Sequence, residues 1–312
     1  MKILIAYDGS QGAGAALEGL ARAGLPSSAE AMVLTVADAS VALAGRTPSL
    51  FAADDDVAPP TRLHAQAAAA LHHARIVAAD AAARLRKRFP RWTVSPDAWG
   101  GSPASAIVLK ADVWRPDLVV VGSRSRARPA RVVLGSVARK VVTEARCAVR
   151  VGRAPAGDAN GPLRILVGHD GGGGGQAALL AATARTWPAG SEIRIVAVQG
   201  AELYPAFDPE IDAETWPPSE MPADRSVLRR LLDEDVARAR RADLTVTADI
   251  ATGLATSVLL RTSSRWKADC IFVGATSRGR AARFLLGSVS AAVADRARCS
   301  VEVVRAPPHH SA

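Results

Sequence analysis

The chain contains an internal repeat, and this repeat limits the possible fold more than any other feature of its 312 residues. The block Asp117–Gly122 (DLVVVG) returns as Asp269–Gly274 (DCIFVG), 152 positions later (269 − 117). The opening block Lys2–Gly9 (KILIAYDG) returns as Arg164–Gly171 (RILVGHDG), 162 positions later (164 − 2). Such self-similarity indicates two copies of one structural unit, and each copy is long enough to bury a core of its own.

The boundary between the copies is marked by the segment 154–162 (APAGDANGP), which is small, polar and rich in Pro and Gly. This composition is typical of a linker between domains. We therefore predict a first domain over residues 1–153, a linker over 154–162, a second domain over 163–306 and a short tail over 307–312.

In each half, short apolar runs alternate with helix-like stretches. Val119–Val121 and Ile271–Val273 are continuous apolar runs, as expected for strands covered on both faces of a parallel sheet. With right-handed crossovers, this order predicts an α/β protein of two tandem, doubly wound, five-stranded parallel sheets of the Rossmann-like kind. Ligands of such folds bind at the carboxyl ends of the strands. At these ends the sequence places Asp8, Gly122, Asp170 and Gly274.

A glycine-containing motif follows the fourth predicted strand of each half. The first copy is Gly122-Ser-Arg-Ser125, nine residues, then Gly135-Ser136-Val137; the second is Gly274-Ala-Thr-Ser277, nine residues, then Gly287-Ser288-Val289. Glycine lets the backbone turn sharply and approach a ligand. A Gly-Ser pair at a helix start offers free N–H groups, a hydroxyl and the positive end of the helix dipole. These are the parts of a phosphate-binding site.

The motif resembles the Gly-x2-Gly-x9-Gly-(Ser/Thr) signature of ATP-binding universal stress proteins, a family of the adenine nucleotide α-hydrolase-like fold group. The opening Ile3–Ser10 resembles that family's first strand and its adenosine-contacting aspartate, and the endings Cys147–Val151 and Cys299–Val303 are similar to its last strand. The resemblance covers nearly the whole chain, twice. Ser125 and Ser277 stand where the signature has its second glycine, so each copy loses backbone freedom there and gains a hydroxyl.

The resemblance implies that one or both halves bind ATP or a related adenine nucleotide, with or without Mg²⁺. The aspartates would contact the nucleoside, the valines that close the second strands would touch the base, and the glycine motif would hold phosphate. The candidate binding residues are Asp8, Gly9, Val36, Gly122, Ser125, Gly135, Ser136 and Val137 in the first half, and Asp170, Gly171, Val198, Gly274, Ser277, Gly287, Ser288 and Val289 in the second.

Two further features near these motifs have alternative interpretations. Three arginines recur in register within the nine-residue loops: Arg126, Arg128 and Arg131, with Arg278, Arg280 and Arg283. Arginine suits bidentate phosphate contacts, and the alternative is a solvated basic loop. The run Gly171–Gly175 lacks the lysine and hydroxyl of a P-loop, so we predict a flexible turn rather than a phosphate cradle.

Composition argues against several other classes of protein. The net charge of +9 is spread along the chain, so no nucleic-acid-binding arm is indicated. The opening apolar run is too short for a signal peptide, and no stretch approaches the length of a membrane span, which predicts a cytoplasmic protein. The three cysteines have no C-x-x-C spacing, and the histidine pairs have no spacing for a metal site.

Three functions remain open from the sequence. The first is a nucleotide-binding regulatory protein of stress physiology, with slow hydrolysis at most. The second is an interaction module of the same fold without a nucleotide, and the third is an ATPase or nucleotidyl-transferring enzyme. The protein partner is unidentified. Members of the family that the chain resembles commonly pair through the last strand of each domain, so the resemblance implies that residues 147–152 pair antiparallel with 299–305. This pairing would cover two sheet edges and give a pseudo-two-fold monomer, with a homodimer still open.

Overall fold

The protein is described by a computed structural model over residues 1–38, 60–123, 134–154, 161–199, 223–241, 243–275 and 286–305. The first half contains β1 (Lys2–Ala6), α1 (Gln11–Glu18) with a short 3-10 turn (Gly19–Arg22), β2 (Glu30–Ala37), α2 (Pro60–Arg88), β3 (Thr93–Gly100), α3 (Pro103–Trp114), β4 (Leu118–Gly122), α4 (Ser136–Glu144) and β5 (Ala148–Gly152). The second contains β6 (Arg164–His169), α5 (Gly173–Thr183), β7 (Ser191–Gln199), α6 (Ala223–Ala239), β8 (Leu244–Thr252), α7 (Ala255–Arg265), β9 (Cys270–Gly274), α8 (Ser288–Arg296) and β10 (Ser300–Val304).

The ten strands form one continuous sheet in the order β3-β2-β1-β4-β5-β10-β9-β6-β7-β8. All neighbours within a half are parallel, whereas β5 and β10 pair antiparallel. The predicted fold is therefore confirmed: two doubly wound five-stranded sheets are joined through their last strands. The antiparallel pair leaves neither of these two edges exposed.

The central strands are buried on both faces, which explains their continuous apolar sequence. In β1, Ile3 and Ile5 face one side and Leu4 faces the other, and all three are almost fully buried. One face carries a core that both halves share, with Leu4 and Val149 from the first half and Ile271 and Val301 from the second. The opposite face carries a separate core in each half, beneath α1 and α2 in the first and α5 and α6 in the second. The two halves therefore pack as one body along a shared apolar layer.

A tryptophan lies at the carboxyl end of the helix that precedes β4, and another at the carboxyl end of the helix that precedes β9. Trp114 and Trp266 are partly buried against the shared core. The Lys2 ammonium lies 5.3 Å from the Trp114 ring centre, and the Arg194 guanidinium lies 4.6 Å from that of Trp266. Each ring therefore has a packing and cation–π role at the amino-terminal edge of the sheet.

The glycine run after β6 differs from the expected flexible turn. Gly172 is the N-cap residue, and Gly173, Gly174 and Gly175 form the first turn of α5. A side chain at Gly175 would lie 2.8 Å from the His169 ring, so this position has no room for a Cβ. The run is therefore helical because its neighbours pack directly onto the helix backbone.

Candidate functional site

A tight turn at the end of β1 presents the first candidate aspartate. The Ser10 N–H donates to Asp8 Oδ1 at 3.0 Å, and Gly9 adopts a positive φ of 75° that favours glycine. Ser10 is also the N-cap of α1, where its Oγ accepts from the Ala13 N–H at 3.2 Å. The turn therefore holds Asp8 at the solvent-exposed carboxyl end of β1.

The second half repeats this turn at the end of β6. The Gly172 N–H donates to Asp170 Oδ1 at 3.0 Å, and Gly171 has a φ of 76°. Over the described residues, no hydrogen bond is recorded to Oδ2 of Asp170 or of Asp8. Each exposed carboxylate thus keeps one oxygen for a ligand's donors. The structure places Asp8, Gly9, Asp170 and Gly171 as two equivalent groups.

A close backbone contact fixes each turn against the neighbouring central strand. A Cβ at Gly122 would lie 2.6 Å from the backbone of Gly12 and Ala13 in α1, and a Cβ at Gly274 would lie 2.5 Å from Gly174 in α5. Glycine is required at Gly122 and Gly274 because helix and strand backbones touch there. Sequence reasoning missed Gly12 and Gly174, although they recur at the same 162-residue spacing as the aspartates (174 − 12).

The starts of α4 and α8 carry the remaining glycines of the motif. Each crossover helix leads from a carboxyl strand end back to the amino-terminal edge, so both helices start at the aspartate edge of the sheet. Gly135 and Gly287 are the N-cap residues, and neither offers a side chain to accept from the first N–H groups. Ser136 and Ser288, the first helical residues, are exposed. Two uncapped helix dipoles therefore present positive ends at this edge.

Different contacts hold the two helix starts in place. In the second half, the Gly287 N–H donates to the Ala275 carbonyl, and the Ser290 hydroxyl donates to the Gly287 carbonyl at 2.9 Å. In the first half, the Leu134 N–H donates to Asp295 Oδ1 at 3.0 Å, across from the other half. The start of α4 is thus positioned by α8.

The Universal stress protein family model matches the chain twice, over residues 1–153 and 163–305. The chain belongs to the universal stress protein family. A curated universal stress protein from Methanocaldococcus jannaschii is 33% identical over 78 residues, which cover 24% of this chain and 46% of that relative. The matched part thus spans about half of the relative's length.

Two solved structures resemble this universal stress protein along nearly its whole length. A universal stress protein from Archaeoglobus fulgidus has a TM-score of 0.68 at 19% identity and covers 98% of both chains. A putative universal stress protein from Pseudomonas aeruginosa has a TM-score of 0.59 at 18% identity, over 97% of this chain and 92% of that one. Identities this low show a common fold, here including the tandem arrangement.

The other candidate residues of this universal stress protein are placed in part. Val36 and Val198 lie half-buried near the carboxyl ends of β2 and β7, against the shared core. Val137 and Val289 are half-buried in the first turns of α4 and α8. The described ranges stop short of Ser125, Ser277 and the six loop arginines, Arg126, Arg128, Arg131, Arg278, Arg280 and Arg283.

A buried histidine supports the second turn, and sequence reasoning did not find its partner. The Gly171 N–H donates to His169 Nδ1 at 3.0 Å, while His169 Nε2 lies 3.3 Å from Asp235 Oδ2 of α6. Burial lowers the pKa of His169, with Asp235 and Asp170 opposing the shift, so the imidazole is neutral near pH 7. In the first half Tyr7 occupies the matching place, and its hydroxyl accepts from Arg84 at 3.1 Å.

A cavity of about 520 Å³ lies at the opposite edge of the sheet, away from both aspartates. Its basic lining includes Lys267 and Arg298, each two positions beyond the last residue of α7 or α8. Cations at helix carboxyl ends complement the negative end of the dipole, and Asp269 in the same lining binds Arg22 at 2.9 Å. We therefore assign these charges to helix and domain packing.

Two kinds of feature are absent from the described ranges. Within them, no cluster of three or more His, Cys, Asp or Glu side chains is arranged to hold a metal ion. No helix in that part of the chain is both long and apolar enough to cross a bilayer.

Proposed function

We propose that both halves bind an adenine nucleotide, ATP or a close relative, at the carboxyl edge of the sheet. One observation carries this proposal. In each half, an exposed aspartate, of which one oxygen accepts a hydrogen bond among the described residues, lies at the same edge as a helix start whose N-cap residue is glycine. A carboxylate oxygen accepts hydrogen bonds from ribose hydroxyls, and free helix N–H groups bind phosphate oxygens. The role is regulatory, in the cytoplasm, with slow hydrolysis at most.

Each residue has a defined part in this proposal. Asp8 and Asp170 would accept from the nucleoside, and Val36 and Val198 would provide apolar contact for the base. The amides that follow Gly135 and Gly287, with the hydroxyls of Ser136 and Ser288, would hold phosphate, and any Mg²⁺ would arrive bound to that phosphate. These parts fit the observed donors and acceptors, since the uncapped amides lack intrahelical acceptors.

A thermal-shift titration with ATP, ADP and cAMP tests the proposal. A ligand at a hundred times its Kd stabilises the native state by about 2.7 kcal/mol. For domains of this size that raises the melting temperature by roughly 5–11 °C. D8N and D170N should each remove part of the shift, and the double variant should remove it. Asp112→Asn is the matched control, because Asp112 is an exposed aspartate near the carboxyl end of α3, away from the edge that carries Asp8 and Asp170.

An unchanged melting temperature at millimolar ATP in the intact protein would reject the proposal. The interaction-module function would then be favoured, and the serines at positions 125 and 277 in place of the signature's second glycine would be its sequence basis. Turnover of ATP by the protein, abolished in Gly135→Val, would instead favour the enzyme function. The single variants D8N and D170N also show whether one half or both halves bind.

A further inference from the structure

The pair Arg150 and Glu302 lies on the pseudo-two-fold axis that relates the two halves. In the antiparallel pairing of β5 and β10, Val149 is opposite Val303, Arg150 opposite Glu302 and Val151 opposite Val301. The repeat spacing of 152 makes Arg150 and Glu302 the same position in the two halves (302 − 150). A residue on this axis faces the equivalent residue of the other half, so the charges at this position decide which halves can pair.

Both charged side chains are fully enclosed in the sheet joint. Arg150 is 2% exposed and Glu302 is 0% exposed. Arg150 Nη1 lies 3.4 Å from Glu302 Oε2 and 3.2 Å from Cys270 Sγ, while Arg185 Nη2 donates to Glu302 Oε1. Both carboxylate oxygens are therefore occupied. Buried charge is tolerated only with such partners, so the joint depends on having both signs present.

Pairing two first halves would remove these partners. Two Arg150 side chains would face each other across the axis, because the same strand would supply both edges. By the repeat spacings, Ala23 stands where the second half has Arg185, and Leu118 stands where it has Cys270. Two guanidinium groups would then be buried beside apolar residues with no carboxylate. This arrangement is strongly disfavoured.

Pairing two second halves is also unfavourable, although less so. Two Glu302 carboxylates would meet on the axis, and each would keep only Arg185 of its own half. Two carboxylates that face each other across the axis repel strongly, because the buried joint has a low dielectric constant. A first half with a second half is the one combination of the three that places an arginine opposite a glutamate on the axis.

We propose that Arg150 and Glu302 make β5 and β10 selective for each other. Each edge accepts the opposite half of this chain, its own or another copy's, and rejects the same half. The pair acts as a specificity determinant, and its net contribution to stability is small because desolvation offsets attraction. A chain with this pair closes on itself rather than joining other chains through like edges.

Charge reversal in the full-length protein tests this selectivity. R150E places two glutamates and one arginine in the joint, and E302R places three arginines there. Each single variant should raise the unfolding equilibrium constant by roughly 150-fold to 5000-fold, since one buried partner is lost. The double variant R150E/E302R restores one glutamate and two arginines, so it should recover most of that loss.

Mixing the two single variants gives a sharper result that does not require either to fold alone. When they are refolded together, β5 of one chain and β10 of the other regain complementary charges at both joints. We expect a reciprocal dimer of about twice the 32.4 kDa chain mass by light scattering. R150E refolded with Arg185→Met is the control, because one joint of that dimer keeps two glutamates and no Arg185.

Two outcomes would overturn the proposal. One is a double variant no more stable than either single variant. The other is an equimolar mixture of R150E and E302R that gives the same species as the separate proteins. Either result would mean that strand geometry and the shared apolar core choose the partner without the charges.

Discussion

Gly12 and Gly14 lie in the same helix turn and allow one substitution to be compared at two sites. A Cβ at Gly12 would lie 2.1 Å from the Ser123 carbonyl oxygen, about 1.3 Å short of ordinary contact at 3.4 Å. A Cβ at Gly14 would have no neighbour within 4 Å. The obstructing atom is backbone at the end of β4, so it has no rotamer through which to move aside.

The expected effects of Gly12→Ala and Gly14→Ala follow from these distances. Replacing glycine by alanine inside a helix stabilises by about 0.5–1 kcal/mol, and Gly14→Ala should show this gain. Gly12→Ala has the same gain but adds overpacking, which costs about 1–3 kcal/mol. With a backbone obstacle we expect the upper end, so the variants should differ by about 3 kcal/mol. That corresponds to a melting temperature roughly 6–12 °C lower for Gly12→Ala.

Urea unfolding and thermal melting of both variants measure this difference. The helix start also holds the turn of Asp8, so Gly12→Ala should weaken the proposed ATP binding while Gly14→Ala leaves it unchanged. If Gly12→Ala proved as stable as Gly14→Ala, the close packing of α1 on β4 would be refuted. The assigned roles of Gly122 and, by the repeat, Gly174 and Gly274 would then fall as well.

Three further predictions concern buried groups. Burial lowers the pKa of His169 below its ordinary value of about 6.5. Between these two pKa values the unfolded chain binds a proton that the native protein does not, so the free energy of unfolding should fall as the pH drops from 7 to 5. Urea unfolding of His169→Gln should show a smaller fall over the same pH range. Burial raises the pKa of Cys147 to about 11 and of Cys299 to about 12, so at pH 8 Cys147 should alkylate about a hundredfold, and Cys299 about a thousandfold, more slowly in the native than in the unfolded protein. Gly24→Ala should lower the melting temperature, since its φ is 60° and a Cβ would lie 2.8 Å from Trp187, whereas Gly101→Ala, with open space, should cost only backbone strain.

The sequence predicted the sheet and the position of the aspartates at strand ends because both depend on local patterns that the repeat shows twice. An apolar run followed by Asp-Gly at Asp8 and again at Asp170 specifies a strand end and a tight turn without tertiary information. The doubly wound arrangement then followed from crossover handedness. The antiparallel joint was implied by the family resemblance, and it covers two sheet edges.

Other features depend on contacts between distant parts of the chain. Asp235 faces His169 from a helix 66 positions away (235 − 169), and no spacing rule connects them. Gly12 and Gly174 look like poor helix formers until the strand beneath them is placed. The glycines after Asp170 predict a flexible turn by composition, yet packing on His169 and Gly274 makes them helical. For Gly12 and Gly174, the available signal in the sequence was their recurrence at the 162-residue spacing of the repeat.

Duplication within one chain lets equivalent positions acquire unlike residues, and this protein uses that freedom where a symmetric dimer could not. Arg150 and Glu302 differ in sign at a position where two identical subunits would have to repeat one residue. Tyr7 lies beneath the first turn and His169 lies beneath the second. The second turn therefore rests on an imidazole that can be protonated, whereas the first rests on a phenol. Ser10 caps α1 through its hydroxyl, whereas Gly172 leaves the start of α5 uncapped. The two candidate sites are therefore nonequivalent, so we expect the two halves to differ in their affinity for the proposed ligand.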